Sequence, residues 1–178
     1  MNCPYKVLAT KYATLGRFRI RLDTVNKDDN LYSYSYIEQK NSVGILAFVD
    51  NNIILIKQYR HSLGSYEYEI PGGGVEINDD PLTTAKNELV EETGYQVDHI
   101  EALGEFYPSP GSSNEVCYLF LASCSKSTFN NLEPLELISV ELISESELEK
   151  KIFGGKIKHS MCLVSWLLYK MRKKNEFS

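Results

Sequence analysis

Polar and apolar positions set two rhythms along the chain. Residues 5–22 and 31–40 read as strands, the second carrying the two-residue alternation Tyr32, Tyr34, Tyr36. The run Asn26-Lys27-Asp28-Asp29-Asn30 predicts the turn between them. Residues 43–49 and 53–60 are continuous apolar runs around Asp50-Asn51-Asn52, the pattern of a hairpin whose strands are buried on both faces.

The period then becomes helical. Asp80 suits an N-cap, and Pro81 suits the first helical position, where no N–H is needed. Leu82, Ala85 and Leu89 form the apolar stripe of this helix, and Gly94 supplies a left-handed stop. Residues 100–106, 115–122 and 134–143 read as strands. Helices are predicted over 144–153 and 160–173, the last apolar at Met161, Val164, Leu167, Leu168 and Met171. Strands, a helix, strands and then helices predict an α/β (α+β) sandwich, with an antiparallel β-region at the N-terminal end. No repeat or low-complexity linker divides the chain.

The predicted helix carries Glu88, Glu91 and Glu92. At about 100° per residue they fall within an arc of roughly 100°, and like charges at such spacings destabilise a bare helix by a few tenths of a kcal/mol per pair. A solvated acidic face is the bland alternative. A hard divalent cation with oxygen ligands, Mg²⁺ above all, would relieve the repulsion and bridge the cluster to substrate phosphates.

Residues 73–95 resemble the Nudix box, G-x5-E-x7-R-E-U-x-E-E-x-G-U with U apolar. Gly73 is its first glycine, Glu88 the core glutamate, Glu91 and Glu92 the acidic pair, Gly94 the last glycine and Tyr95 the final bulky position. Asp79 stands where the family has Glu and Asn87 where it has Arg, so the salt bridge that braces the family's helix cannot form here in the same way. Further signals are Ile56-Lys57-Gln58-Tyr59-Arg60, Glu67-Tyr68-Glu69-Ile70-Pro71-Gly72-Gly73, and Phe106-Tyr107-Pro108-Ser109-Pro110-Gly111 ahead of Glu115. Their order and spacing look like the ADP-ribose pyrophosphatase branch of the Nudix hydrolases, with Pro110 at that branch's proline past the box.

The resemblance implies a Nudix-type α/β/α sandwich with a mixed sheet over residues 43–178. It also implies an N-terminal β-region, residues 1–42, whose strands cross to a partner in a two-fold homodimer. The implied reaction is hydrolysis of the pyrophosphate of ADP-ribose to AMP and ribose 5-phosphate, with Mg²⁺, or Mn²⁺ in its place, held by Glu88, Glu92, Glu91 and the Gly72 carbonyl. Glu115 matches the branch's general base, and Glu91 is the next candidate. Arg60 suits a grip on phosphate or ribose because a guanidinium pairs bidentately with phosphate. Glu69 is placed to touch substrate or support the metal, and Tyr36 to stack on adenine, although most of the 12 tyrosines must be packing residues. Two readings stay beside this one: a pyrophosphatase for another nucleoside diphosphate sugar such as GDP-mannose, and a catalytically silent ADP-ribose-binding module.

Composition narrows the setting. A net charge of −5 argues against nucleic acid or a membrane surface as the main partner, since phosphate backbones recruit basic proteins. No apolar run approaches a membrane span and no signal-peptide core follows Met1, so a cytoplasmic enzyme is expected. Cys3, Cys117, Cys124 and Cys162 lack zinc spacing and read as buried or idle thiols. His61, His99 and His159 show no paired spacing and are assigned no role.

Overall fold

The computed structural model describes residues 3–126 and 138–175. The chain separates into two compact units: Met1–Lys40 with Tyr107–Val116, and Asn41–Phe106 with Cys117–Ser178.

The described part of the first unit is a three-stranded antiparallel sheet, β1 (Lys6–Leu15), β2 (Phe18–Lys27) and β3 (Asn30–Glu38), in that order. The stretch 5–22 is therefore not one strand. The chain reverses at Gly16, whose φ of 57° fits a tight hairpin turn. Residues 107–116 join this unit through β3: the Ile37 N–H donates to the Ser112 carbonyl at 2.9 Å and the Gln39 N–H to the Asn114 side-chain oxygen at 2.8 Å.

The second unit is an α/β/α sandwich around a mixed sheet. Its strands are β4 (Ser42–Val49), β5 (Asn52–Arg60), β6 (Ser65–Glu69), β7 (Gly72–Gly74), β8 (Tyr95–Phe106), β9 (Cys117–Lys126) and β10 (Ile138–Ile143). The order is β10-β5-β4-β9-β8, with β6 on β5 and β7 on β4. The β4 to β9 pairing is parallel and the others are antiparallel. Alternation assigns the two faces. Val43, Ile45, Ala47 and Ile54 pack with Ala85 and Leu89 of α1 (Pro81–Thr93). Leu46, Ile53 and Leu55 pack with Leu148 of α2 (Glu145–Phe153) and with Cys162 and Trp166 of α3 (Ser160–Asn175). The continuous apolar runs of β4 and β5 thus serve layers on both sides.

Local signals fix the element ends. At the β4–β5 hairpin, Asp50 and Asn51 take φ of 47° and 62°, a conformation their short polar side chains tolerate. Asp80 caps α1 by accepting from the Thr83 N–H at 3.1 Å, and Gly94, at φ 72°, closes it by donating to the Val90 carbonyl.

Several expected boundaries shift. β8 starts at Tyr95, directly after the helix stop, and not at residue 100. β9 starts at Cys117, which leaves Glu115 in the preceding loop. The described part of the strand expected at 134–143 is β10, while residues 134–137 lie outside the described residues. β6 and β7 had no clear signal because they are short and β7 is glycine throughout. In α3 the expected apolar face holds at Met161, Val164 and Leu168, which pack against the core; Leu167 and Met171 are exposed, and Cys162, Ser165 and Trp166 are buried as well.

Ala85 and Leu89 are the fully buried apolar anchors of α1. Leu89→Ala should therefore destabilise the protein by about 2–5 kcal/mol, the usual range for a truncated core leucine, as read from the denaturant midpoint.

Candidate active site

The site begins where two strands part. β4 and β5 face each other only at their hairpin end, Phe48 opposite Ile53 and Val49 opposite Asn52. Farther along, Ser42–Gly44 pair with β7, while Ile56–Arg60 pair with β6. The segment 65–74 therefore occupies the gap. A cleft of about 320 Å³ there is lined by Arg60, Glu69, the glycines 72–74, Glu88, Glu91 and Glu92.

Backbone pairing holds the glycines still. The Ile45 N–H donates to the Pro71 carbonyl at 2.9 Å, and the Val75 N–H to the Asn41 carbonyl at 2.8 Å. Against this fixed strand lies α1. The Gly72 N–H donates to the Glu92 Oε2 at 2.8 Å, giving a carboxylate that is only 4% exposed a donor in place of water. The Glu88 carboxylate sits so close to Gly73 that a Cβ there would overlap it, and a Cβ at Gly72 would overlap the Val43 carbonyl. Close approach to backbone requires glycine at position 72, whereas a side chain at position 73 would displace the Glu88 carboxylate. Glu91 is exposed and lines the same cleft.

A second group stands beside the carboxylates. Arg60 donates from Nε to the Glu69 Oε1 at 2.7 Å and from Nη2 to Oε2 at 2.6 Å, a bidentate pair whose acid is 3% exposed. Two of the guanidinium nitrogens expected to meet substrate are thus engaged, and Glu69 acts first as the partner that orients Arg60. The His159 Nε2 lies 3.4 Å from the Glu69 Oε2. Burial pushes the His159 pKa below its ordinary value of 6.5, against the opposing pull of Glu69. The His159 Nδ1 and the Gln58 Oε1 are buried and have no hydrogen-bond partner among the described residues.

The residues expected from the sequence divide between the units. Gly72, Glu88, Glu91, Glu92, Arg60 and Glu69 meet in the second-unit cleft. Glu115 and Tyr36 belong to the first unit, where the Arg21 guanidinium lies 5.7 Å from the Tyr36 ring centroid. Asp79 and Asn87 are both exposed. Gln58 and His159 also line the cleft, with no site role assigned from the sequence. Gln58 was findable, two residues from Arg60 and so on the same strand face. His159 arrives from the far end of the chain and carries no local signal.

The oxygen donors fit a hard divalent cation and no softer metal. Among the described residues no three acidic, imidazole or thiol side chains converge closely enough to hold an ion unaided.

Residues 38–161 match the NUDIX domain model. The chain belongs to the NUDIX family. Several relatives of stated activity are similar to this chain. A methanol dehydrogenase activator from Bacillus methanolicus is 31% identical over 161 residues, 85% of this chain and 87% of that protein. An ADP-ribose pyrophosphatase from Bacillus subtilis is 39% identical over 87 residues, covering 48% of this chain and 47% of its own length. A GDP-mannose pyrophosphatase from Citrobacter koseri is 30% identical over 129 residues, 68% of each chain. The match thus spans only about half of the Bacillus subtilis pyrophosphatase. A crystal structure of an ADP compounds hydrolase superposes with a TM-score of 0.85 over 98% of this chain and 96% of that one, at 17% identity, which shows the shared Nudix fold.

Neutral His159 ties stability to pH. Its folded pKa lies below the unfolded one, so its contribution is present above pH 6.5 and is lost as pH falls from 6.5 through the folded value. Denaturant unfolding without added metal should show stability dropping through this window, and His159→Gln should flatten that part of the profile. An unchanged profile would mean that the imidazole is protonated as easily in the folded state.

Proposed function

We propose that this Nudix hydrolase cleaves the pyrophosphate of ADP-ribose to AMP and ribose 5-phosphate with Mg²⁺ as cofactor, Mn²⁺ serving in its place. The observation that carries the reading is the cleft in which Glu88, Glu91 and Glu92 meet the glycine strand, with the Arg60–Glu69 pair in the same wall. A pyrophosphate diester is doubly anionic and repels hydroxide, so a hydrolase must neutralise charge and position water. Glu88, Glu92, Glu91 and the Gly72 carbonyl are the groups assigned to hold the cation. The cation supplies Lewis acidity to the phosphoryl oxygens and lowers the pKa of bound water.

The chain's own residues do the rest. The Gly72 N–H and the Gly73 backbone fix Glu92 and Glu88, so the carboxylates need little reorganisation when substrate arrives. Glu69 holds the Arg60 guanidinium plane in place for the anionic substrate. Glu115 is assigned the proton of the attacking water, and Tyr36 a stacking face for the base.

GDP-mannose is the second reading, supported by a relative that matches over two thirds of both chains. A protein that activated a dehydrogenase by docking alone would have no use for the box carboxylates, which favours hydrolysis here. Their retention also weighs against a silent binding module. Purified protein with Mg²⁺ and a panel of nucleoside diphosphate sugars, analysed for the monophosphate released, tests the reaction and ranks the substrates. Glu88→Gln and Glu92→Gln should each lower kcat by several orders of magnitude with the fold intact. Glu115→Gln should lower kcat by about 10²–10⁴-fold and flatten the acidic limb of the pH–rate profile, with little change in KM. Near wild-type kcat in any of the three sinks that residue's role.

We also propose a homodimer built through the first unit. β1 is an edge strand with every residue exposed, and Val7, Leu8, Tyr12, Leu31, Tyr32 and Tyr34 leave apolar surface on the same sheet. Unpaired edges and apolar patches invite a second copy related by a two-fold axis. Light scattering at micromolar concentration should give twice the 20.3 kDa chain mass, and a monomer mass would overturn this assembly.

A further inference from the structure

A cleft of about 470 Å³ in the second unit shares no lining residue with the cleft of the α1 carboxylates, and its charge is opposite in sign. Lys57 comes from β5, Lys151 from α2, and Lys156 and Lys158 from the connection between α2 and α3; Glu67 is the acid that lines it with them. Four cations line it with one carboxylate, and counting Glu141, which pairs with Lys151, the local excess is two, in a chain with 19 Lys and Arg against 24 Asp and Glu.

Tyr68 organises two of the lysines. It is the cross-strand neighbour of Lys57, whose Nζ lies 5.5 Å from its ring centroid, and the Lys151 Nζ lies 4.1 Å from the same centroid. The contact of Lys151 with Glu141 is long, at 4.0 Å. Lys156 and Lys158 are exposed and make no ion pair among the described residues. Stabilisation of the α2 dipole explains Lys151, in the last helical turn, but not the other three. Ammonium groups that outnumber their neighbouring acids repel one another, and a multivalent anion reverses the sign of that energy.

We propose that this lysine cleft is a second binding site, selective for a phosphate group carried as inorganic phosphate or as a nucleoside monophosphate. The ammonium groups do the binding. The Gly154, Gly155, Lys156 and Ile157 N–H groups are already donated to carbonyls of α2, so no backbone nest is left to cradle the anion. Recognition by lysines alone tolerates different phosphate geometries and is sensitive to salt. The exposed Tyr66 ring, also in the lining, offers a face to a nucleobase if the phosphate belongs to a nucleotide. Lys158 and Glu67 also border a groove that reaches Glu69 and His159, which places an anion held here next to the carboxylate cleft.

The site does not depend on the hydrolytic reading, and its test removes that reading from the measurement. The full chain carrying Glu88→Gln and Glu92→Gln is titrated in EDTA at low salt, with inorganic phosphate in one arm and AMP in the other, by ³¹P line broadening and calorimetry. Saturable binding is expected in at least one arm, and the tighter arm identifies the source of the phosphate. Adding Lys156→Glu and Lys158→Glu, both exposed positions, should weaken it by roughly tenfold or more, and Lys57→Gln should weaken it in the same direction. Raising NaCl to about 1 M, where the screening length falls to about 3 Å, should abolish it. No saturable binding in either arm, or binding that survives the charge reversals in a folded protein, overturns the proposal.

Discussion

The hydrogen bond from the Gly72 N–H to the Glu92 carboxylate joins the two halves of the candidate active site. A carboxylate that is 4% exposed cannot remain charged without a donor, and β7 supplies one from its backbone. That donor is available only because β7 is a strand with its neighbours paired and no side chains to stand between strand and helix. The Glu88 carboxylate uses the space a Cβ at Gly73 would fill, so the same glycine strand positions two acids of α1 from one rigid edge.

This geometry depends in turn on the splay of β4 and β5. Had the two strands stayed paired to their ends, the segment 65–74 would have no edge to join, and the glycines would be a surface loop. Because they separate after a two-residue ladder, β6 and β7 each gain a strand to pair with, and the cleft is walled by hydrogen-bonded backbone. Rigid walls suit a site for an anionic substrate, where donors and charges must be in place before substrate binds. The Arg60–Glu69 pair follows the same logic, with a nearly buried acid fixing a guanidinium that would otherwise sample many rotamers.

Charge is segregated within the second unit. The carboxylates of α1 lie in one cleft and the lysines around Tyr68 in another, and an imidazole kept neutral by burial stands beside Glu69 near the groove that links them. A net charge of −5 conceals this arrangement, because a sum over the chain carries no information about position.

By itself the sequence determined the elements with strong local chemistry. These include the Asp80 cap and Gly94 stop of α1, the doubly buried β4 and β5, the hairpin at Asp50-Asn51, and the three glutamates with their glycines. Each rests on residues within one turn or one strand, where periodicity and capping act directly. Tertiary structure decided what depends on distant neighbours. It split residues 5–22 at Gly16, made strands of 65–69 and 72–74 by giving them edges to pair with, and left Leu167 and Met171 of α3 exposed while burying Cys162 and Trp166. It also brought His159 to Glu69, committed two nitrogens of Arg60 to that same acid, and gathered four lysines from three stretches of chain. None of these has a local signature, because a contact between residues far apart in sequence is fixed by which surfaces the sheet leaves open.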